Sequence, residues 1–130
     1  MKTQISLILT GFLVFCSCEK DQNNNYYESL STVISADAPD TVKNDNEFTI
    51  EIVHSGSSGC STFSRYEIDN GVDTTFITMY QKRNKDDICT AVIIDIETSI
   101  TISLHNSGIR YLAFKQYNEE LLVDSVNVVE

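Results

Sequence analysis

The cysteines are the residues of this chain best suited to chemistry, and their spacing divides them into two pairs. Cys16 and Cys18 stand near the start, and Cys60 and Cys89 lie in the middle of the chain. Cys60 and Cys89 could close a disulfide, which would constrain the unfolded chain by about 3–4 kcal/mol in the loop-entropy account. They could instead bind a metal with His54 or His105 as third ligand, since two thiolates alone make an incomplete site, or stay as free thiols. Asp86 and Asp87 precede Cys89 closely, and nearby negative charge raises a thiol pKa and argues against a reactive cysteine. The acids Asp86-Asp87 and Asp69 with Asp73 could meet calcium, but their spacing lacks the closing Glu of a calcium loop. Solvated acids are the expectation. There is no Gly-x-Ser-x-Gly, no His-Glu-x-x-His and no glycine-rich phosphate loop, the arrangements that place a nucleophile, a zinc ion or a phosphate. No catalytic residue, no cofactor and no metal is therefore expected, and the chain reads as a protein that is not an enzyme.

The first pair has a different meaning. An apolar stretch, Ile5 to Phe15, follows the basic Lys2, and the small Ser17 precedes Cys18. A polar tract, Glu19-Lys20-Asp21-Gln22-Asn23-Asn24-Asn25, comes after. This order is that of a secretory signal peptide. The stretch is too short to span a hydrocarbon core, which needs about 20 residues. The small residue before Cys18 resembles a bacterial lipobox, so Cys18 is expected to carry lipid after cleavage. Cys16 competes, but bulky Phe15 before it disfavours cleavage there. Phe15 also occupies the place where a lipobox usually carries Leu, which is a departure from the motif. An ordinary secretory signal is the alternative. The expected division is 1–17 signal peptide, 18–29 lipidated flexible tether and 30–130 folded domain. Two or three acyl chains on one cysteine suffice for stable anchoring, where a single chain does not.

Loss of residues 1–17 removes one of nine basic residues and none of the 19 acidic ones, leaving a net charge of −11. Such acidity disfavours nucleic acid and the heads of anionic lipids as partners. Export makes Cys60 and Cys89 read as one disulfide, because an even pair in an oxidising compartment pairs.

The elements that would position these residues are strands. Alternation with period two dominates beyond the tether, and no stretch shows a period of 3.6. Phe48, Ile50 and Ile52 alternate with polar partners, as do Ile100, Ile102 and Leu104. Turn signals stand at Lys43 to Asn46, Ser55 to Gly59, Asp69-Asn70-Gly71, Lys82 to Asp87, Asn106 to Gly108 and Asn118 to Glu120. Strands are expected over 31–36, 48–53, 61–68, 74–81, 90–96, 100–104, 109–117 and 121–129. Seven or eight short antiparallel strands without a helix make a sandwich, or in competition a barrel. The expected core is Phe48, Ile50, Ile52, Ile94, Ile100, Ile102, Leu104, Leu112, Phe114, Val126 and Val128. The run Gly108-Ile109-Arg110-Tyr111 resembles the tyrosine corner of immunoglobulin-like domains, in which the phenol tethers a loop. An immunoglobulin-like β-sandwich is the expectation, although no Trp lies between the cysteines to pack on them.

Cys18-Glu19-Lys20-Asp21, Gly59 to Phe63, Asp87 to Thr90 and the Gly-x-x-Tyr-x-x-x-Phe strand together resemble small, uncharacterised lipoproteins of the Bacteroidetes type. That resemblance implies an outer-membrane location, display at the cell surface and an immunoglobulin-like sandwich. It implies no activity. In the same group an Asp-Ser/Thr pair before an aliphatic or Thr resembles an O-glycosylation acceptor, which points to Thr41, Thr74 and Ser125. These Asp-Ser/Thr pairs also suit ordinary strand edges and turns. The expected role is a non-catalytic binding or adhesion module, anchored in the membrane by lipid and meeting a protein or glycan through its loops. The alternatives are an accessory subunit of an outer-membrane complex, and a small enzyme or enzyme inhibitor.

Overall fold

The structure, a computed structural model, describes residues 25–130. The expected signal peptide, Cys16, Cys18 and most of the expected tether lie outside the described residues. Nine strands follow one another: β1 (Tyr26–Ser31), β2 (Val33–Asp37), β3 (Thr41–Lys43), β4 (Glu47–Gly56), β5 (Thr62–Asn70), β6 (Thr74–Asn84), β7 (Ile94–Ser103), β8 (Gly108–Lys115) and β9 (Leu121–Val129). They form two sheets, and no helix occurs among the described residues.

The smaller sheet has the order β2-β4-β7 and is antiparallel throughout. The larger is built around β6. β5 lies along one edge of β6. The other edge is shared end to end, with residues 74–77 paired to β8 in parallel and residues 79–84 paired to β1. β9 follows β8, and β3 closes the sheet in parallel with β9. The chain therefore leaves the larger sheet at Ser31, crosses at Thr32 and enters the smaller sheet at Val33. β1, β5, β3, β2 and β7 are the outer strands, each paired along one edge only.

The alternation read from the sequence explains the layers. In β4, Phe48, Ile50, Ile52 and His54 point inward while Glu47, Thr49 and Glu51 are exposed. Ile50 pairs with Ile100, and Phe48 with Ile102. Facing them are Ile77 and Met79 of β6, Leu112 and Phe114 of β8, and Val126 and Val128 of β9, all buried in one cluster. Each such side chain contributes roughly 1.5–3 kcal/mol by leaving water. Of the expected core only Ile94 falls short of full burial, being partly exposed. Val33, Val42, Ile77 and Met79 join it.

Several element boundaries differ from expectation. The stretch 31–36 is not one strand, since Ser31 ends β1 and Val33 begins β2; Ser55 and Gly56, expected in a turn, end β4, and Lys82 to Asn84, expected in a charged loop, end β6. Residues 26–29, read as the end of the tether, belong to β1, which pairs along β6 with Tyr26 opposite Asn84. The stretches 90–96 and 100–104 do not form two strands: 94–103 is one strand, because Thr98 continues the inward face between Ile96 and Ile100. Thr41–Lys43 is a strand anchored by buried Val42.

Candidate functional site

Cys60 and Cys89 are joined in a disulfide with their Cα atoms 5.5 Å apart. The bond staples the β4–β5 loop to the β6–β7 loop. The two loops approach closely beside it: Gly59 donates its N–H to the Thr90 carbonyl at 3.0 Å, and a Cβ at Gly59 would displace the Thr90 hydroxyl from its present position. The Gly59-Cys60 and Cys89-Thr90 segments are thus two halves of one close contact. Asp87 offers a carboxylate oxygen within 4.8 Å of both sulfurs, but sulfurs bonded to each other are not thiolates and do not ligate zinc. The two histidines proposed as third ligands have other partners. His105 contacts Asp45 at the opposite end of the sandwich.

His54 is fully buried on β4. Its Nδ1 lies 2.7 Å from the Ser31 hydroxyl, which itself donates to the Ser55 carbonyl at 2.6 Å. Ser31 has one proton to give, so the ring must donate from Nδ1. Nε2 then accepts from the Thr98 hydroxyl, 2.9 Å away. Phe63 packs edge-on to the ring at 6.0 Å. Burial holds the imidazole pKa below its ordinary value. The arrangement has a serine and a histidine in contact, but the serine is fully buried and a threonine stands where an orienting carboxylate would be needed. It is a neutral network joining β1 of the larger sheet to β4 and β7 of the smaller.

The tether expected of Tyr111 is made by its neighbour. Tyr111 is 41% exposed on the outer face of β8, whereas Arg110 points inward and is buried. Its guanidinium donates to the Val72 and Gly71 carbonyls of the β5–β6 turn, and one nitrogen lies 3.5 Å from the Thr75 hydroxyl. Alternation from Leu112 and Phe114 fixes this: positions 110, 112 and 114 share the core face.

Thr41, Thr74 and Ser125 come together on the outer face of the larger sheet. Thr74 and Ser125 both pair with Tyr111, from β6 and β9 respectively. Thr41 pairs with Asn127, two residues along β9 from Ser125. The Thr74 hydroxyl donates to Asp73 at 3.0 Å, and Asp124 accepts from the Ser125 N–H at 2.8 Å.

Sequence reasoning did not find the cleft at the stapled end. It has a volume of about 440 Å³ and is walled by Leu30, Ile93 and Tyr117, with Thr32, Ser57 and Gln81 supplying polar groups. Gln116 fixes its position. The side-chain amide accepts from the Val33 N–H and donates to the Val33 carbonyl, both at 2.8 Å, so it clamps the β8–β9 loop to β2 as a strand would. Gln81 accepts from the Ser57 N–H at 2.7 Å, holding the β4–β5 loop. Tyr117 and Ile93 are left 84% and 80% exposed on these anchored loops. An aromatic and an aliphatic side chain on fixed backbone, beside free hydroxyls, can stack on and hydrogen-bond a partner without prior ordering. Comparison with protein-family models, with curated proteins and with solved structures returned no match for this chain.

Proposed function

We propose that the chain is an exported lipoprotein of the outer membrane, held by acylated Cys18 and displayed at the cell surface, whose sandwich is a non-catalytic binding or adhesion module. The observation that carries the binding role is the cleft of Tyr117 and Ile93 at the stapled end, where three connecting loops are fixed by a disulfide, the Gln116 clamp and Gln81. Loops positioned by a rigid scaffold are the usual place for recognition. The small residue before Cys18 and the polar tract after it support the anchor.

The immunoglobulin-like type belongs to the same proposal. It is supported by the antiparallel order β2-β4-β7, which matches strands A, B and E, and by the β8–β9 hairpin in the facing sheet, which matches F and G. The parallel pairing of β6 with β8 departs from that pattern, as does Tyr111, whose side chain is on the outer face of β8. The accessory-subunit reading draws on Ile109, Tyr111 and Val123, which are exposed on the outer face of the larger sheet.

Binding of the acylated protein to glycan and extracellular-protein arrays tests the module. Tyr117→Ala should abolish a positive signal while Ile109→Ser leaves it intact. The reverse pattern would transfer the site to the sheet face and favour the accessory subunit. Protease treatment of intact cells should remove the domain; protection from the protease would place it on the inner face.

A further inference from the structure

The first described residue, Asn25, lies at the tip of the stapled end. Tyr26 pairs with Asn84, the last residue of β6, and the Lys85 N–H donates to the Asn25 carbonyl at 3.0 Å. Seven residues, Cys18 to Asn24, separate this point from the expected acyl chains, a reach of at most about 24 Å. The same tip carries side chains that water does not favour. Ile88 is fully exposed at the crest of the β6–β7 loop, with its carbonyl 3.8 Å from the Cys60 sulfur. Tyr27 is more than half exposed, with the Arg83 guanidinium 5.3 Å and the Lys85 ammonium 5.5 Å from its ring centre. Lys82 sits 5.4 Å from the ring of Tyr26. Three cations thus stand within four residues of a chain that is otherwise strongly acidic, against Asp86 and Asp87, of which Asp86 accepts from Asn25 at 3.2 Å.

We infer that this tip is a membrane-docking surface: Ile88 enters the lipid at the level of the headgroups while Tyr27, Lys82, Arg83 and Lys85 meet the headgroups themselves. The inference rests on the acylation of Cys18. Its parts have the physical properties that depth requires. An aliphatic side chain gains from acyl burial, tyrosine favours the interface, and long cations extend their stems along apolar surface to reach phosphate. The disulfide anchors Cys89, the residue next to Ile88, which reduces the backbone ordering that insertion requires. The cleft of Tyr117 lies beside Ser29 and Gln81, about 10 Å back along β6 from the Tyr26–Asn84 pair at three residues of strand rise, and remains open beside the bilayer.

The chain has no Trp, so one indole can report on one site. Acylated full-length Ile88→Trp and Val72→Trp are each placed in vesicles of phosphatidylethanolamine and phosphatidylglycerol containing brominated lipid. Val72, 95% exposed in the turn at the far end, is the control. Flotation with the vesicles and the intact mass report acylation separately. The inference expects floating protein, severalfold quenching and a blue shift for the indole at position 88, and no change at position 72. Floating, acylated protein whose indole at 88 is unquenched and solvent-like overturns the docking surface and leaves the anchor standing. Unacylated Cys18 with no flotation overturns both.

Discussion

Ser31 and His54 meet across the junction of the two sheets, hydroxyl to imidazole at 2.7 Å, at the point where the chain passes from β1 to β2. Neither side chain is exposed to solvent. The contact has the residues of a nucleophile and its base, yet the direction of the hydrogen bonds assigns it to structure: the serine proton is given to a backbone carbonyl and the ring donates to the serine.

This network makes stability depend on pH. The His54 pKa is lowered in the fold by burial, while the unfolded chain keeps the ordinary value of 6.5. Between those two values the unfolded state binds more protons, so stability rises with pH. It is complete above about pH 6.5 and is lost as pH falls through the folded value, with a slope of at most about 1.4 kcal/mol per pH unit. Urea titrations from pH 7.5 to pH 5 should show this fall in wild type. They should show a flatter profile in His54→Gln, even though that variant starts less stable.

Loss of the staple should destabilise without unfolding. The double variant Cys60→Ser, Cys89→Ser closes no loop in the unfolded chain and should lose about 3–4 kcal/mol. The urea midpoint measures this. Thiol labelling of denatured, unreduced wild-type protein should find neither cysteine.

Arg110 and Tyr111 should exchange the importance that their sequence context suggests. Arg110→Met removes the donors that satisfy the Val72 and Gly71 carbonyls and should cost about 1–3 kcal/mol. Tyr111→Phe should be nearly neutral. Thermal melting of the two variants decides between an arginine tether and a tyrosine corner, since the latter requires the opposite ranking.

Cys18→Ala should leave a precursor of uncleaved mass, while Cys16→Ala should be processed normally. Intact-mass spectra of membrane and soluble fractions read both outcomes directly, and acyl chains on Cys16 would refute the assignment.

The sequence was most legible where one strand face is apolar and the other is not. Phe48, Ile50 and Ile52, and Ile100, Ile102 and Leu104, announced their strands and their core side together. β1 was illegible because Tyr26, Tyr27, Glu28 and Ser29 show no aliphatic alternation. Their strand exists because β6 extends past β8 and offers an unoccupied edge. β7 was divided because Glu97-Thr98-Ser99 reads as polar, although Thr98 faces inward to His54. Arg110 was missed for the same reason, since a charge at an inward position is legible only once its carbonyl partners are known. The cleft could not be read at all, because Gln116 and Gln81 are ordinary polar residues until the loops they clamp are in place.

The outer strands bear on how copies of this domain behave when crowded. A bare strand edge invites a neighbouring chain to add to the sheet. Here β5 presents Arg65, Glu67 and Asp69, β7 presents Asp95 and Glu97, β2 ends on Asp37 and β3 on Lys43. A second copy drawing alongside β5 or β7 would set these charges opposite its own, and like charges directly opposite across a strand pair are destabilising. Charge thus opposes edge-to-edge addition on these four strands, and β1, which carries Glu28 as its one charge, is the outer strand least guarded against it.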